Sequence, residues 1–240
     1  MTSLYKDTIE VRKGEELPVE RLTKFLQEYV IDLKGESLKI EQFGAGHSNL
    51  TYLLRVGDWE AVLRRPPHGP VAANAHDMKR EYTFLKYIND LYSVAPEPYC
   101  FSDDNSVIGS PFFIMERKKG IVLDTEFPES LTYSPKVGNR LSKLMVEQLV
   151  ALHEIDDKKT KLADLTKPEG LMERQIHGWI RRYERAKTDE IKGVDKLIAY
   201  LESKIPTNTE ATIIHYDYKL NNAMFNEQLD QMIGLFDWEM

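Results

Sequence analysis

Residues 38–67, LKIEQFGAGHSNLTYLLRVGDWEAVLRRPP, leave the chain few ways to fold. Leu38, Ile40 and Gln42 alternate with charged residues, a period of two that suits a strand with one buried face. A glycine-rich turn holding Gly44 and Gly46 breaks that strand. LTYLLRV resumes it, GDW turns it again, and EAVLRR runs to Pro66 and Pro67, which cannot continue a ladder. Three antiparallel strands are expected here.

The flanking segments have a different period. Leu22, Phe25, Leu26, Val30 and Leu33 predict a helix over 18–34 that starts near Pro18. Met78, Tyr82, Leu85 and Ile88 predict a second helix within 76–92. APEPYCFSDD reads as a proline-punctuated link, and VIGSPFFIMERKKG as two strands separated by Gly109, Ser110 and Pro111. Beyond Gly120 helices take over, at 136–153, 172–186 and 194–204. ATIIHYDYK and MIGLFDWEM then read as two short strands. The order gives an α+β chain of two lobes, a sheet-bearing lobe over 1–117 and a mainly helical lobe over 118–240. A chain of 240 residues, 42% hydrophobic, has enough apolar material for both, at ~100–150 residues per domain.

Charge and cysteine usage narrow the setting. A net charge of −7 argues against nucleic acid as the main partner, because phosphate binding needs clustered cations. Cys100 is alone, so no intrachain disulfide can form, which suits a reducing cytoplasm. The first residues carry no apolar run of a secretory signal, and no stretch approaches the ~18 apolar residues of a membrane helix.

The chemistry concentrates in HYDYKLNN, residues 215–222, set between the apolar TII and AMF. A buried carboxylate needs partners or a task. Taken singly, Asp217 and Asn222 read as turn residues bonded to their own backbone, and Lys219 as a solvated lysine. Taken together they fit H-x-D-x-K-x-x-N, the pattern of a phosphoryl-transfer loop, and Asp237 follows at the end of the apolar MIGLF. In that chemistry Asp217 orients the acceptor hydroxyl as base and Lys219 offsets charge at the γ-phosphate. Asn222 and Asp237 supply hard oxygens to Mg2+. His215 reads as a scaffold whose ring nitrogens bond the loop backbone.

TIIHYDYKLNNAMFN…GLFDWEM resembles the signature of the aminoglycoside phosphotransferase and choline kinase-like enzymes, which have a protein kinase-like fold. It is most similar to the branch related to kinase-like domains fused to acyl-CoA dehydrogenases. FGAGHSNLTYLLRV, AVLRRPP, KREYTFLKYI, FFIMERKKG and HGWIRRYERAK carry the likeness over roughly 20–240. The resemblance implies an ATP- and Mg2+-dependent phosphotransferase acting on a hydroxyl of a small molecule, such as a hydroxyacyl-CoA or another metabolite alcohol. A non-catalytic nucleotide-binding fragment and a protein kinase are the alternative readings. It also implies that Gly44, Gly46, Ser48 and Asn49 cover the ATP phosphates. Arg64 takes the place of the strand lysine, with Arg65 as the register alternative, and Glu81 pairs with that cation. Phe113 and Met115 wall the adenine, and the backbone of Glu116 and Lys118 bonds its edge. On the helix at 178–187, Trp179, Ile180 and Tyr183 are expected inward. Its Arg181, Arg182, Arg185 and Lys187 read either as a solvated basic face or as acceptor recognition. Two features depart from the family: Tyr216 stands where a glycine is usual, and relatives continue past the DWE at 237–239, so the second lobe is expected to be C-terminally truncated.

Overall fold

The computed structural model describes residues 7–44, 49–69, 76–124, 127–128, 131–156, 158, 160–165, 167–207 and 211–238. The chain divides into two compact units, one of residues 1–153 with 214–240 and one of 154–213.

The first unit is built on a six-stranded antiparallel sheet. Its strands are β1 (Thr8–Ile9), β2 (Lys39–Phe43), β3 (Leu50–Val56), β4 (Trp59–Arg65), β5 (Pro98–Ser102) and β6 (Phe112–Glu116), in the order β1-β2-β3-β4-β6-β5. The three strands expected from residues 38–67 are β2, β3 and β4, with Val56 opposite Trp59 across the Gly57–Asp58 turn. Gly57 has φ +54, a left-handed conformation that a hairpin turn needs and glycine adopts without strain.

The two faces of this sheet have different roles. On one, Tyr52, Leu54, Ala61, Leu63, Phe112 and Ile114 form the main apolar core with Leu22 and Leu26 of helix α1 (Val19–Tyr29). On the other lies helix α2 (Met78–Ile88), started by the Asp77 carboxylate, which accepts from the Arg80 N–H. Its buried stripe is Met78, Glu81, Leu85 and Ile88, so a glutamate occupies a core position. Tyr82, expected on that stripe, lies beside it and packs on Phe101 and Phe113.

One hairpin differs from expectation. The partner of β6 is the proline-punctuated 98–102 segment, whereas Val107 and Ile108 belong to the short helix α3 (Asn105–Ile108). The Asp104 carboxylate accepts from the Ser106 N–H at 2.8 Å, and Gly109 ends the turn at φ +85. Capping residues at both ends favour a helical turn over a strand.

The rest of this unit is helix α4 (Pro135–His153) and a small sheet of β7 (Ile121–Val122), β8 (Ala223–Phe225) and β9 (Met232–Leu235), with β8 central. Gly120 leads into β7 where a Cβ would strike the Phe225 carbonyl and the Met224 side chain, so only glycine fits without displacement. Residues 211–219, expected as a strand, form none. There the side chain of His215 bonds the backbone of Asp217 and Phe236, taking over the hydrogen bonding a ladder would supply.

The second unit holds a 3-10 turn (Lys161–Leu165) and helices α5 (Leu171–Ala186) and α6 (Val194–Ser203). No residue of either helix is fully buried. Trp179, expected inward, is 65% exposed and lies under the Arg182 guanidinium, 4.8 Å from its ring centre. Among the described residues no helix is long and apolar enough to cross a membrane.

Candidate active site

The loop that leads into β8 is organised by a histidine. Apolar residues alternate into it, with Ile213 and His215 buried and Ile214 and Tyr216 exposed. The His215 ring bonds backbone at both nitrogens: Nδ1 accepts from the Asp217 N–H at 3.2 Å, and Nε2 lies 2.8 Å from the Phe236 carbonyl. Accepting at Nδ1 requires that nitrogen to be bare, so Nε2 carries the proton and the ring is neutral. Burial pushes its pKa below the ordinary value, partly offset by the Phe236 carbonyl and the Asp237 and Asp217 carboxylates.

Asp217 follows, partly exposed. Its Oδ2 accepts from Asn222 Nδ2 at 2.8 Å and from Lys219 Nζ at 2.7 Å. Burial alone would raise the carboxyl, but Lys219 and Asn222 outweigh it and hold it below the usual carboxylate range. Its bond to Asp217 raises the pKa of Lys219 correspondingly. A 3-10 turn over Leu220–Asn222 then buries Asn222, whose Nδ2 also donates to the Asp217 carbonyl at 3.0 Å. The adjoining Tyr218 hydroxyl donates to the Met145 carbonyl of α4 at 2.6 Å, fixing the loop to that helix.

A second group joins from the sheet. Phe236 N–H donates to the Asn222 carbonyl at 2.9 Å, which places Asp237 directly after a residue held by both Asn222 and His215. Asp237 has φ +63, a left-handed conformation uncommon outside glycine but tolerated by aspartate. Its Oδ1 accepts from Arg64 Nη2 at 2.8 Å, and Arg64 Nη1 donates to Glu81 Oε1 at 2.5 Å. Arg64 and Glu81 are almost fully buried, with side chains 6% and 1% exposed. Asp217, Lys219, Asn222, Asp237, Arg64 and Glu81 are therefore linked through hydrogen bonds and the Phe236–Asp237 peptide bond.

Strand register separates the two arginines of β4. Arg64 points to the α2 face, beside Glu81 and Asp237. Arg65 points to the opposite face, where Nη1 reaches the Ile108 carbonyl at 3.4 Å and Nε is buried without a partner. Phe113 pairs with Arg64 and Met115 with Val62, so both lie on the Arg64 face and are buried.

At Glu116 the N–H donates to the Glu97 carbonyl at 2.8 Å. At Lys118 the carbonyl accepts from Arg117 at 2.7 Å. Gly44 is tied to the N-terminal segment, its carbonyl accepting from Arg12 at 3.2 Å, and Asn49 is buried. Gly46 and Ser48, also predicted in the glycine-rich turn, lie outside the described residues.

A sequence profile of the phosphotransferase enzyme family (APH) matches residues 39–240. The chain belongs to that family. Mouse acyl-CoA dehydrogenase family member 10 is 29% identical over 234 residues, covering 98% of the chain and 22% of that protein. Chicken acyl-CoA dehydrogenase family member 11 is 32% identical over 206 residues, covering 85% of the chain and 26% of that protein. The chain thus spans about a quarter of the length of these relatives. The fold is that of the aminoglycoside phosphotransferases, kinase-like in its architecture. A candidate aminoglycoside phosphotransferase from Ralstonia eutropha JMP134 superposes with TM-score 0.77 at 29% identity, covering 93% of this chain and 65% of that one. APH(2'')-IIa, solved as a ternary complex with streptomycin and ATP, gives TM-score 0.59 at 19% identity, with 93% and 71% covered.

All six linked residues lie inside the matched segment of this phosphotransferase domain. Trp238 belongs to the same site and was not singled out from sequence. It is buried immediately after Asp237 and packs 4.5 Å from the His215 ring. Its one signal in the sequence is its position directly after Asp237.

Proposed function

We propose that the chain is the phosphotransferase part of a larger protein and transfers phosphate from ATP to a hydroxyl of a small molecule with Mg2+. The carrying observation is the continuous bonding from Asp217 through Asn222 and Phe236 to Asp237, Arg64 and Glu81. It ties a carboxylate suited to an acceptor hydroxyl to a cation suited to phosphates.

The residues fit both groups. Asn222 spends its Nδ2 on Asp217, and Asp237 spends only Oδ1 on Arg64. Asn222 Oδ1 and Asp237 Oδ2 are therefore two hard oxygens with no donor among the described residues. Mg2+ commonly takes one or two side-chain oxygens and completes its shell with phosphate and water. That agrees with the absence of any trio of His, Cys, Asp or Glu arranged for a metal among the described residues. Bound there, the ion would neutralise charge on the phosphates.

The other roles follow from the geometry. Asp217, ionised at neutral pH, accepts a hydrogen bond from the acceptor hydroxyl and takes its proton. Lys219, already on Asp217, is placed to share its charge with the transferring group. Arg64 binds phosphate oxygens through its planar fork while Glu81 holds it in place. The Glu116 carbonyl and Lys118 N–H present an acceptor and a donor, complementary to the amino group and ring nitrogen of adenine. Phe113 and Met115 lie on the matching face of the sheet. Gly44 and Asn49 help to cover the phosphates, and the lobe boundary falls at 117/118.

The names of the relatives, acyl-CoA dehydrogenase family members, favour a hydroxyacyl-CoA as acceptor over an aminoglycoside. The test is a screen of hydroxyacyl-CoAs, simple alcohols, sugars and aminoglycosides, read by ADP release. Asp217→Ala should lower turnover about 100- to 10,000-fold with ATP affinity kept. Turnover in that variant equal to wild type would remove Asp217 as the base.

A further inference from the structure

Asp237 adopts its left-handed backbone between two residues that cannot move independently. On one side Phe236 is bonded through its N–H to Asn222 and through its carbonyl to His215. On the other side Trp238, 5% exposed, is enclosed by three aromatic rings. It stacks on Phe84 of α2 at 5.3 Å and 24°, meets Tyr92 edge-on at 6.0 Å, and meets His215 at 4.5 Å. Its Nε1 donates to the Leu235 carbonyl at 2.8 Å, while the Leu235 N–H donates to Val94.

A non-glycine residue at positive φ persists where its surroundings over-determine it. Here the over-determination has a direction. Phe84 lies one helical turn from Glu81, so the ring that holds Trp238 belongs to the helix that holds Arg64. His215, the other ring, belongs to the loop that carries Asp217 and Asn222. Trp238 thus contacts both the helix that holds Arg64, the partner of Asp237, and the loop that carries Asn222.

We infer that Trp238 is a positioning residue, which sets the Asp237 carboxylate relative to Asn222 by locking it between α2 and the His215 loop. The inference rests on the reading of Asp237 as a metal ligand. It concerns metal-dependent binding, and predicts little effect on the nucleotide's contacts with Arg64.

The experiment compares binding of a non-hydrolysable ATP analogue with and without Mg2+, by calorimetry, in the whole chain. The readout is the ratio of the two affinities, a quantity that general loosening of the fold would not selectively change. Trp238→Leu keeps an apolar core but removes the stacks, and should reduce the Mg2+ enhancement about tenfold with metal-free binding retained, a free-energy change of about 1.4 kcal/mol. Phe84→Leu, at a half-buried position, should act in the same direction and decides the matter if Trp238→Leu does not fold. Trp238→Phe, which retains a ring against Phe84 and His215, should stay within about threefold of wild type by the same affinity scale. Wild-type Mg2+ enhancement in the folded leucine variants would overturn the inference, as would an equal loss of binding with and without metal. Absence of any Mg2+ enhancement in the unsubstituted chain would instead overturn the metal-ligand reading of Asp237.

Discussion

Arg64 and Glu81 form a buried ion pair whose removal can be worked through in both directions. The bond is 2.5 Å and both side chains are nearly inaccessible, at 6% and 1% exposed. Replacing Arg64 by methionine keeps the length of the side chain but removes the cation paired with the buried Glu81 carboxylate. Breaking a buried pair from one side costs about 3–5 kcal/mol. The bond from Arg64 to Asp237 adds little, because the aspartate is 36% exposed and water screens it. Arg64→Met should therefore lower Tm by roughly 6–20 °C, at about 2–4 °C per kcal/mol for a chain of this size. Glu81→Leu leaves Arg64 bonded to Asp237 and should cost less, about 1–3 kcal/mol. The double variant buries no charge at either site and should approach wild-type stability, since apolar replacement of a buried pair is often neutral. The two changes are then strongly non-additive, by about 4–8 kcal/mol, the sum of the two single costs. Urea unfolding followed by fluorescence, in a Trp179→Phe background, reads only Trp59 and Trp238, both in the unit of 1–153 and 214–240. Additivity within about 0.5 kcal/mol would refute the reasoning. The double variant should also fail to bind ATP while remaining folded, separating the ion pair's role in the site from its role in stability.

Two further outcomes follow from the same geometry. Arg65 is buried with one long hydrogen bond and an unpartnered Nε, and burial lowers its pKa, so Arg65→Leu should be neutral or stabilising by up to about 2 kcal/mol and leave ATP binding intact; destabilisation by 3 kcal/mol, or loss of ATP binding, would contradict the assignment of the two arginines to opposite faces. His215 is neutral and has its pKa depressed below 6.5, so its contribution is fully present above that pH and declines as the pH falls below it toward the folded-state value. Asp217, whose pKa is lowered beneath 3.8, stays ionised through that window. Stability measured from pH 8 to pH 5 should fall for wild type by up to about 1.4 kcal/mol per pH unit more steeply than for His215→Gln; parallel profiles would show that the ring is not held neutral by its two backbone bonds.

How much of this was legible in the sequence depended on whether a residue's role was local. The strands β2, β3 and β4 were visible because alternation, glycine and proline act within a few residues, and Leu38 to Pro67 carry all three signals. The short helix at 105–108 was missed because its cause is the Asp104 cap, a single side chain that outweighs a β-prone Val-Ile pair. The α2 stripe was half visible. Positions 78, 81, 85 and 88 are helically spaced, but a glutamate at 81 makes the stripe look interrupted, and reading Tyr82 in its place hides the one charge the helix buries. Choosing between Arg64 and Arg65 needed the register of β4 against β6, which rests on long-range pairing with Phe113 and Met115. The spacing of Asp217, Lys219 and Asn222 could be read directly, because a tight loop brings them together by itself. Trp238 could not, because its partners Phe84, Tyr92 and His215 come from three separate segments and nothing in DWE names them. The same contrast applies to the exposed Trp179 of α5. An aromatic in an amphipathic helix predicts a buried face, yet burial requires a surface to pack on, and α5 and α6 bury no residue completely. Periodicity therefore identifies the face a helix can bury, while the partner that covers it is a property of the assembled chain.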